Sequence, residues 1–316
     1  MIAAVVQVTI IVLFVVLVVR SILQRNMPRV GGKIGPRRSL LPASPVPDGF
    51  SRVYARSMTL FAATPDAAEY SNLKSFLRRG TVQQPTLMRI YRVAGCQTEI
   101  EIPVEPPHYE RIDAAATLTL LRELPDPRLI RRLQLSDEPS FLDPWVRKTA
   151  GQNFFLLGNA TSAGLVVLYR PDRRQGQSLG ITLLHEWLHL VAFKSARHVW
   201  RFKRASAIEP LVPVPIEPVS FGDRKTAIHE AWSDLGEKLF GYDDTVARGA
   251  ALAMPVHARI LWQRVEKLMR KAPTRLRSTR FAEFEMRGIF MRGEVLSKAR
   301  ALRKWRDVRH ESAFRE

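Results

Sequence analysis

Residues 177–193 read QSLGITLLHEWLHLVAF, and no other stretch of the 316-residue chain limits the fold as tightly. Leu183, Leu184, Trp187, Leu188, Leu190 and Val191 point in most directions around a helix, so the expected helix is nearly apolar all round and belongs inside a core. Successive residues turn by about 100°, which puts His185 and His189 roughly 40° apart with Glu186 beside them. The polar groups therefore fill a single stripe. A charge buried there without partners is costly, so the stripe needs company. Two imidazoles one turn apart can hold one zinc ion, and a carboxylate offset around the axis can reach a water on that ion without itself binding the metal. H-E-x-x-H is the spacing that meets both demands.

A catalytic zinc takes three protein ligands and leaves its fourth position to water, so the third ligand must come from elsewhere. Residues 223–240, DRKTAIHEAWSDLGEKLF, predict a second helix opened by Asp223 as N-cap and stopped by Gly241. Glu230 and Asp234, four residues apart, share a face, and the small Ala227 and Ala231 beside them allow another helix to approach. Taken alone, the same segment is an ordinary surface helix, with Ile228, Trp232, Leu235 and Leu239 inward and Glu230, Asp234 and Glu237 outward. The two readings part over Glu230: the surface helix puts solvent around it, the metal site another helix. His229 lies about 100° away from Glu230 and is read as structural.

HEWLH followed by HEAWSD resembles the gluzincin group of zinc metallopeptidases, the thermolysin-like branch, whose second motif reads E-x-x-S-D or E-x-x-x-D; the resemblance spans roughly residues 153–241. It implies that His185, His189 and Glu230 ligate zinc, that Glu186 is general base and proton shuttle, and that Asp234 hydrogen-bonds a ligand histidine, His185. It also implies hydrolysis of a peptide or protein substrate. No motif marks the group that would steady the oxyanion, for which Tyr242, His198 and His257 are candidates.

LMRIYRV and QTEIEIPV alternate like two strands joined across Ala94 and Gly95, AAATLTLLREL is helical, and LIRRLQLSD, NFFLLGNA and GLVVLYRP are three further strand-like runs. Either of the last two is a candidate edge for an extended peptide. Residues 194–221 fit neither periodicity and are expected to form a long loop. The expected fold is α+β and zincin-like. It comprises a small mixed or antiparallel sheet and the HExxH helix within residues 50–243, then a mostly helical, basic C-terminal subdomain over 244–316.

Ile2 to Val19 carry no charge and include only Gln7 and Thr9 as polar members, enough to cross a bilayer once. A transmembrane helix is therefore expected within residues 1–25, followed over 26–49 by a basic tether rich in Pro and Gly. Arg20, Arg25, Arg29, Lys33, Arg37 and Arg38 follow the span and no Lys or Arg precedes it, which favours a cytoplasmic C-terminal part. The alternative is an export signal and an extracytoplasmic one. The single Cys96 can form no internal disulfide and receives no role. With 49 Lys and Arg against 30 Asp and Glu, the net charge is +19. Charge on that scale keeps a second function in view, a membrane-tethered protein binding anionic lipid or, less readily, nucleic acid. A zinc-binding but inactive zincin is the third.

Overall fold

The computed structural model describes residues 45–63, 81–104, 114–136, 158–169, 178–210 and 224–313. The expected membrane span, nearly all of the tether and residues 211–223 fall outside these. Among the described residues no helix is long and apolar enough to cross a membrane.

Six strands form one mixed sheet: β1 (Phe50–Ala63), β2 (Thr81–Val93), β3 (Glu99–Pro103), β4 (Arg132–Ser136), β5 (Gly158–Ala160) and β6 (Leu165–Tyr169), in the order β1-β2-β3-β4-β6-β5. The β1–β2, β2–β3 and β5–β6 pairs are antiparallel, while β3–β4 and β4–β6 are parallel. A parallel pair needs a crossover, and between β3 and β4 the chain makes it through helix α1 (Ala114–Glu123). Ile100 pairs with Leu133 and Leu133 with Val166, so these three, joined by Leu135 and Leu168, line up on one face and are buried against the helices. On the opposite face Ile90 pairs with Glu101, whose buried carboxylate takes two hydrogen bonds from Arg132, at 2.6 and 2.8 Å.

Helix α2 (Leu179–Phe193) lies at the centre, buried for most of its length as its apolar circumference requires. Ser178 caps it by accepting from the Ile181 amide at 3.2 Å, and the indole of Trp187 donates to the Asp126 carbonyl at 2.7 Å. Six more helices follow: α3 (Ala196–Ala205), α4 (Arg224–Phe240), α5 (Asp244–Ala253), α6 (Pro255–Lys271), α7 (Phe281–Phe290) and, after a single π-helical segment, α8 (Leu296–Ala313). Their aromatic residues join one core: Phe202 meets Trp232 at 5.3 Å, and Phe240 stacks on Trp262 at 5.3 Å. Arg280 and Arg287 of the α7 region donate to the carbonyls of Phe240, Leu239 and Tyr242, closing the C-terminal end of α4. The basic C-terminal helices thus share their core with α2 and α4, and residues 40–316 form one unit.

Two expectations change. Residues 194–221 are not a loop throughout, because α3 lies within them: Val199, Phe202, Ala205 and Ile208 recur at every third position and pack inward, a stripe concealed by Arg197, Arg201, Lys203 and Arg204. β1 was not expected at all; its pairing with β2 in one register from Arg52 to Ala63, after a shift at Phe50, makes it a strand despite weak alternation. Of NFFLLGNA, only Gly158–Ala160 lies among the described residues, and these form the strand at the sheet's end.

Candidate metal centre

α2 and α4 pack side by side, and at Gly236 the approach leaves no room for a side chain: a Cβ there would stand 2.6 Å from the Leu188 side chain. Of the expected small residues Ala231 packs against the core and Ala227 is exposed, so Gly236 is a further small residue that the sequence pattern did not single out. The contact turns the acidic face of α4 toward the histidine stripe of α2, while Trp232, Leu235 and Leu239 are buried on the other side. Glu230 is only 31% exposed, so α4 is not a surface helix with its acids in solvent.

His185 presents Nε2 to one oxygen of Glu230 at 3.3 Å, and His189 presents Nε2 to the other at 3.5 Å. The two rings stand nearly edge to face, 4.9 Å apart. Zinc bound tetrahedrally at about 2.0–2.1 Å has ligand atoms separated by about 3.4 Å, and each Nε2 stands near that distance from its own Glu230 oxygen. One donor atom from each of the three residues lies within 4.8 Å of the others. Two neutral nitrogens and a carboxylate oxygen are also the donors zinc favours, so the residues fit the ion.

The outer side of His185 departs from expectation. Its Nδ1 lies 3.1 Å from Glu237 and 3.7 Å from Asp234, so the hydrogen bond belongs to Glu237. The Tyr242 hydroxyl donates to the other oxygen of Glu237 at 3.0 Å. Asp234 leaves one oxygen buried without a hydrogen-bond partner, and burial raises its pKa. Glu237 stands seven residues after Glu230, two turns along the same face; that periodicity was its only mark in the sequence.

Electrostatics follow from the crowding of acids around one ring. Burial alone would lower the pKa of His185, but hydrogen bonds to Glu230 and Glu237 prevail and push it up to about 10. Burial likewise opposes ionisation of Glu230, yet the two histidines bring it down to about 2. The cluster thus holds a positive charge where a cation fits. Glu186 is buried, and burial raises its pKa against the pull of His189 and His185. A carboxylate so placed is a better base than one in water.

β5 runs beside Glu186: a Cβ on Gly158 would lie 2.6 Å from its Cγ and 2.8 Å from one carboxylate oxygen. Phe193 stacks on His189, with ring centres 6.3 Å apart, and remains 41% exposed. Of the oxyanion candidates, Tyr242 alone reaches the cluster, through Glu237. His257 is fully buried, bound to Glu209 at 2.6 Å and close to the Ser206 hydroxyl. His198 sits among Arg264, Arg201, Lys267 and Arg197, which with burial lower its pKa. Cys96 packs on the core.

Compared with known protein families, with curated proteins and with solved structures, the chain matches none.

Proposed function

We propose that the chain is a zinc-dependent peptidase of gluzincin type, with His185, His189 and Glu230 as ligands and Glu186 as general base. One observation carries the reading: both histidine Nε2 atoms converge on a single carboxylate, one on each oxygen at 3.3 and 3.5 Å, with a buried glutamate alongside. When bound, zinc supplies a Lewis acid for the scissile carbonyl and lowers the pKa of its water.

The protein's own groups do the rest. Glu186 accepts the proton of the attacking water and returns it to the leaving amine, a task suited to a carboxyl whose pKa burial has raised. Glu237, steadied by Tyr242, holds Nδ1 of His185 so that Nε2 stays directed at Glu230. β5 ends the sheet among the described residues and passes Glu186, so an extended peptide adding to it by main-chain hydrogen bonds would lay its backbone along the base.

The test is hydrolysis of a mixed peptide library by the zinc-loaded full chain. The wild type should cleave, and Glu186→Gln should keep its zinc and lose cleavage by several orders of magnitude. Equal cleavage by both proteins would remove Glu186 from the mechanism.

A further inference from the structure

Away from the metal centre, arginines of α3, α6 and α8 converge. A groove of about 350 Å³ opens among them, lined by Trp200, Arg201, Arg204, Ile208, Ile260 and Arg303. Trp200 is 55% exposed, with the guanidinium of Arg204 4.8 Å above its ring. Arg259 stands close enough to Arg303, Arg300 and Arg201 for them, after burial, to lower its pKa. Among the side chains the structure describes, which end at Trp305 on α8, none of these five arginines pairs with a carboxylate, although Arg248, Arg270, Arg280 and Arg292 of the same helical region do. The Nε of Arg303 is buried with no hydrogen-bond partner.

Convergent arginines around an apolar groove destabilise a fold left to itself, and a bound anion removes the penalty. The lining narrows the anion's type. Guanidinium groups pair with phosphate oxygens, indole settles at headgroup depth in bilayers, and Ile208 and Ile260 suit the apolar part of an amphiphile. A nucleic-acid strand has no use for the apolar Ile208 and Ile260 lining, and Arg204 leaves it only one face of Trp200 to stack on. The apolar run at residues 2–19, read from the sequence as a bilayer span, would bring such a surface within reach.

We infer that this groove docks the folded part onto an anionic phospholipid surface, with a lipid phosphate held by Arg201, Arg204 and Arg303 and Trp200 at headgroup depth. Docking here is independent of the zinc reading; it needs neither metal nor catalysis.

The test reconstitutes the full chain in vesicles of phosphatidylcholine alone or doped with phosphatidylglycerol and follows hydrogen exchange over residues 196–208 and 296–305. Protection should appear only with phosphatidylglycerol and fade as salt is raised. The docked-to-undocked ratio should fall about fivefold for each of Arg201→Gln, Arg204→Gln and Arg303→Gln, and roughly a hundredfold for the triple variant. Unchanged exchange over α2 in neutral vesicles shows that a variant is folded; should the triple variant fail this, the single variant of Arg204, the exposed one of the three, carries the test. Protection that is equal in both vesicles, or that survives the substitutions, would overturn the inference. So would the same protection in neutral vesicles on adding inorganic phosphate or duplex DNA, since the ligand would then not be a lipid surface.

Discussion

The protein buries histidine against glutamate in two places, and they are built to different ends. His257 and Glu209 form a closed pair: Glu209 binds the imidazole at 2.6 Å and also accepts the amides of Val256 and His257, satisfying the first turn of α6. Every strong group there has a protein partner. At the other place two imidazoles share one carboxylate, neither oxygen of Glu230 accepts from a backbone amide, and Glu186, Asp234 and Glu237 crowd the same few ångströms. Such an excess of acid serves no structural need that the closed pair does not meet with one. Folding uses the first arrangement; the second is the one proposed to take a cation.

Exchanging the two glutamates for alanine separates these purposes most sharply. Glu230→Ala should weaken zinc binding by more than the roughly 10–100-fold that loss of an outer partner causes, measured by chelator competition, while the metal-free protein stays folded. Glu209→Ala should cost about 3–5 kcal/mol in denaturant unfolding, since it strands a buried partner, and leave zinc affinity of the folded protein unchanged. Were both substitutions to act on stability alone, the distinction between the two sites would collapse.

A gentler break is Gly158→Ala. The added methyl meets the Glu186 carboxylate, and displacing a general base by an ångström costs roughly 100-fold in rate. Zinc content should not change, because the three atoms nearest the added methyl all belong to Glu186 and none to a proposed ligand; metal loss would mean that β5 supports the cluster as a whole.

Next comes the question of which acid orients His185. Glu237→Gln should reduce zinc affinity by about 10–100-fold, and Asp234→Asn by less, because the hydrogen bond at 3.1 Å is to Glu237. The reverse ranking would restore the role that the motif assigns to Asp234.

The smallest effect is a proton count. His185, with its pKa up to about 10, is protonated at neutral pH and must lose that proton to ligate, so zinc binding should release about one proton, seen by calorimetry in buffers of different ionisation enthalpy. Because the folded value exceeds the ordinary 6.5, protonation of His185 contributes stability that is fully present below pH 6.5 and is lost as pH rises through about 10. Alkaline destabilisation should therefore affect the metal-free protein more than the loaded one.

How much of this could be read in the sequence depends on where the information is local. The HEWLH helix announces itself, since its apolar circumference and polar stripe lie within one short run. Glu230 and Asp234 were visible as a face, but which way that face turns is decided by tertiary packing, such as the Gly236 contact with Leu188, which joins residues 48 apart in the chain. Glu237 went unrecognised because a motif ends where its family pattern ends, whereas the face continues for another turn. α3 was hidden by its charges: in a helix with so many arginines, Val199, Phe202 and Ala205 alone carry the inward stripe. The proximity of β5 to Glu186 has no local signature, because a glycine in a strand looks the same whether or not a carboxylate fills the space beside it.

The central claim is that the open cluster is a zinc site, and the most direct measurement is the metal content of the purified full chain together with its zinc X-ray absorption spectrum. The account predicts one zinc per chain, a first shell of nitrogen and oxygen with scattering from two imidazoles, and loss of the metal when His185 and His189 are both replaced. A folded chain that takes up no zinc, or holds it unchanged after that double replacement, would contradict it.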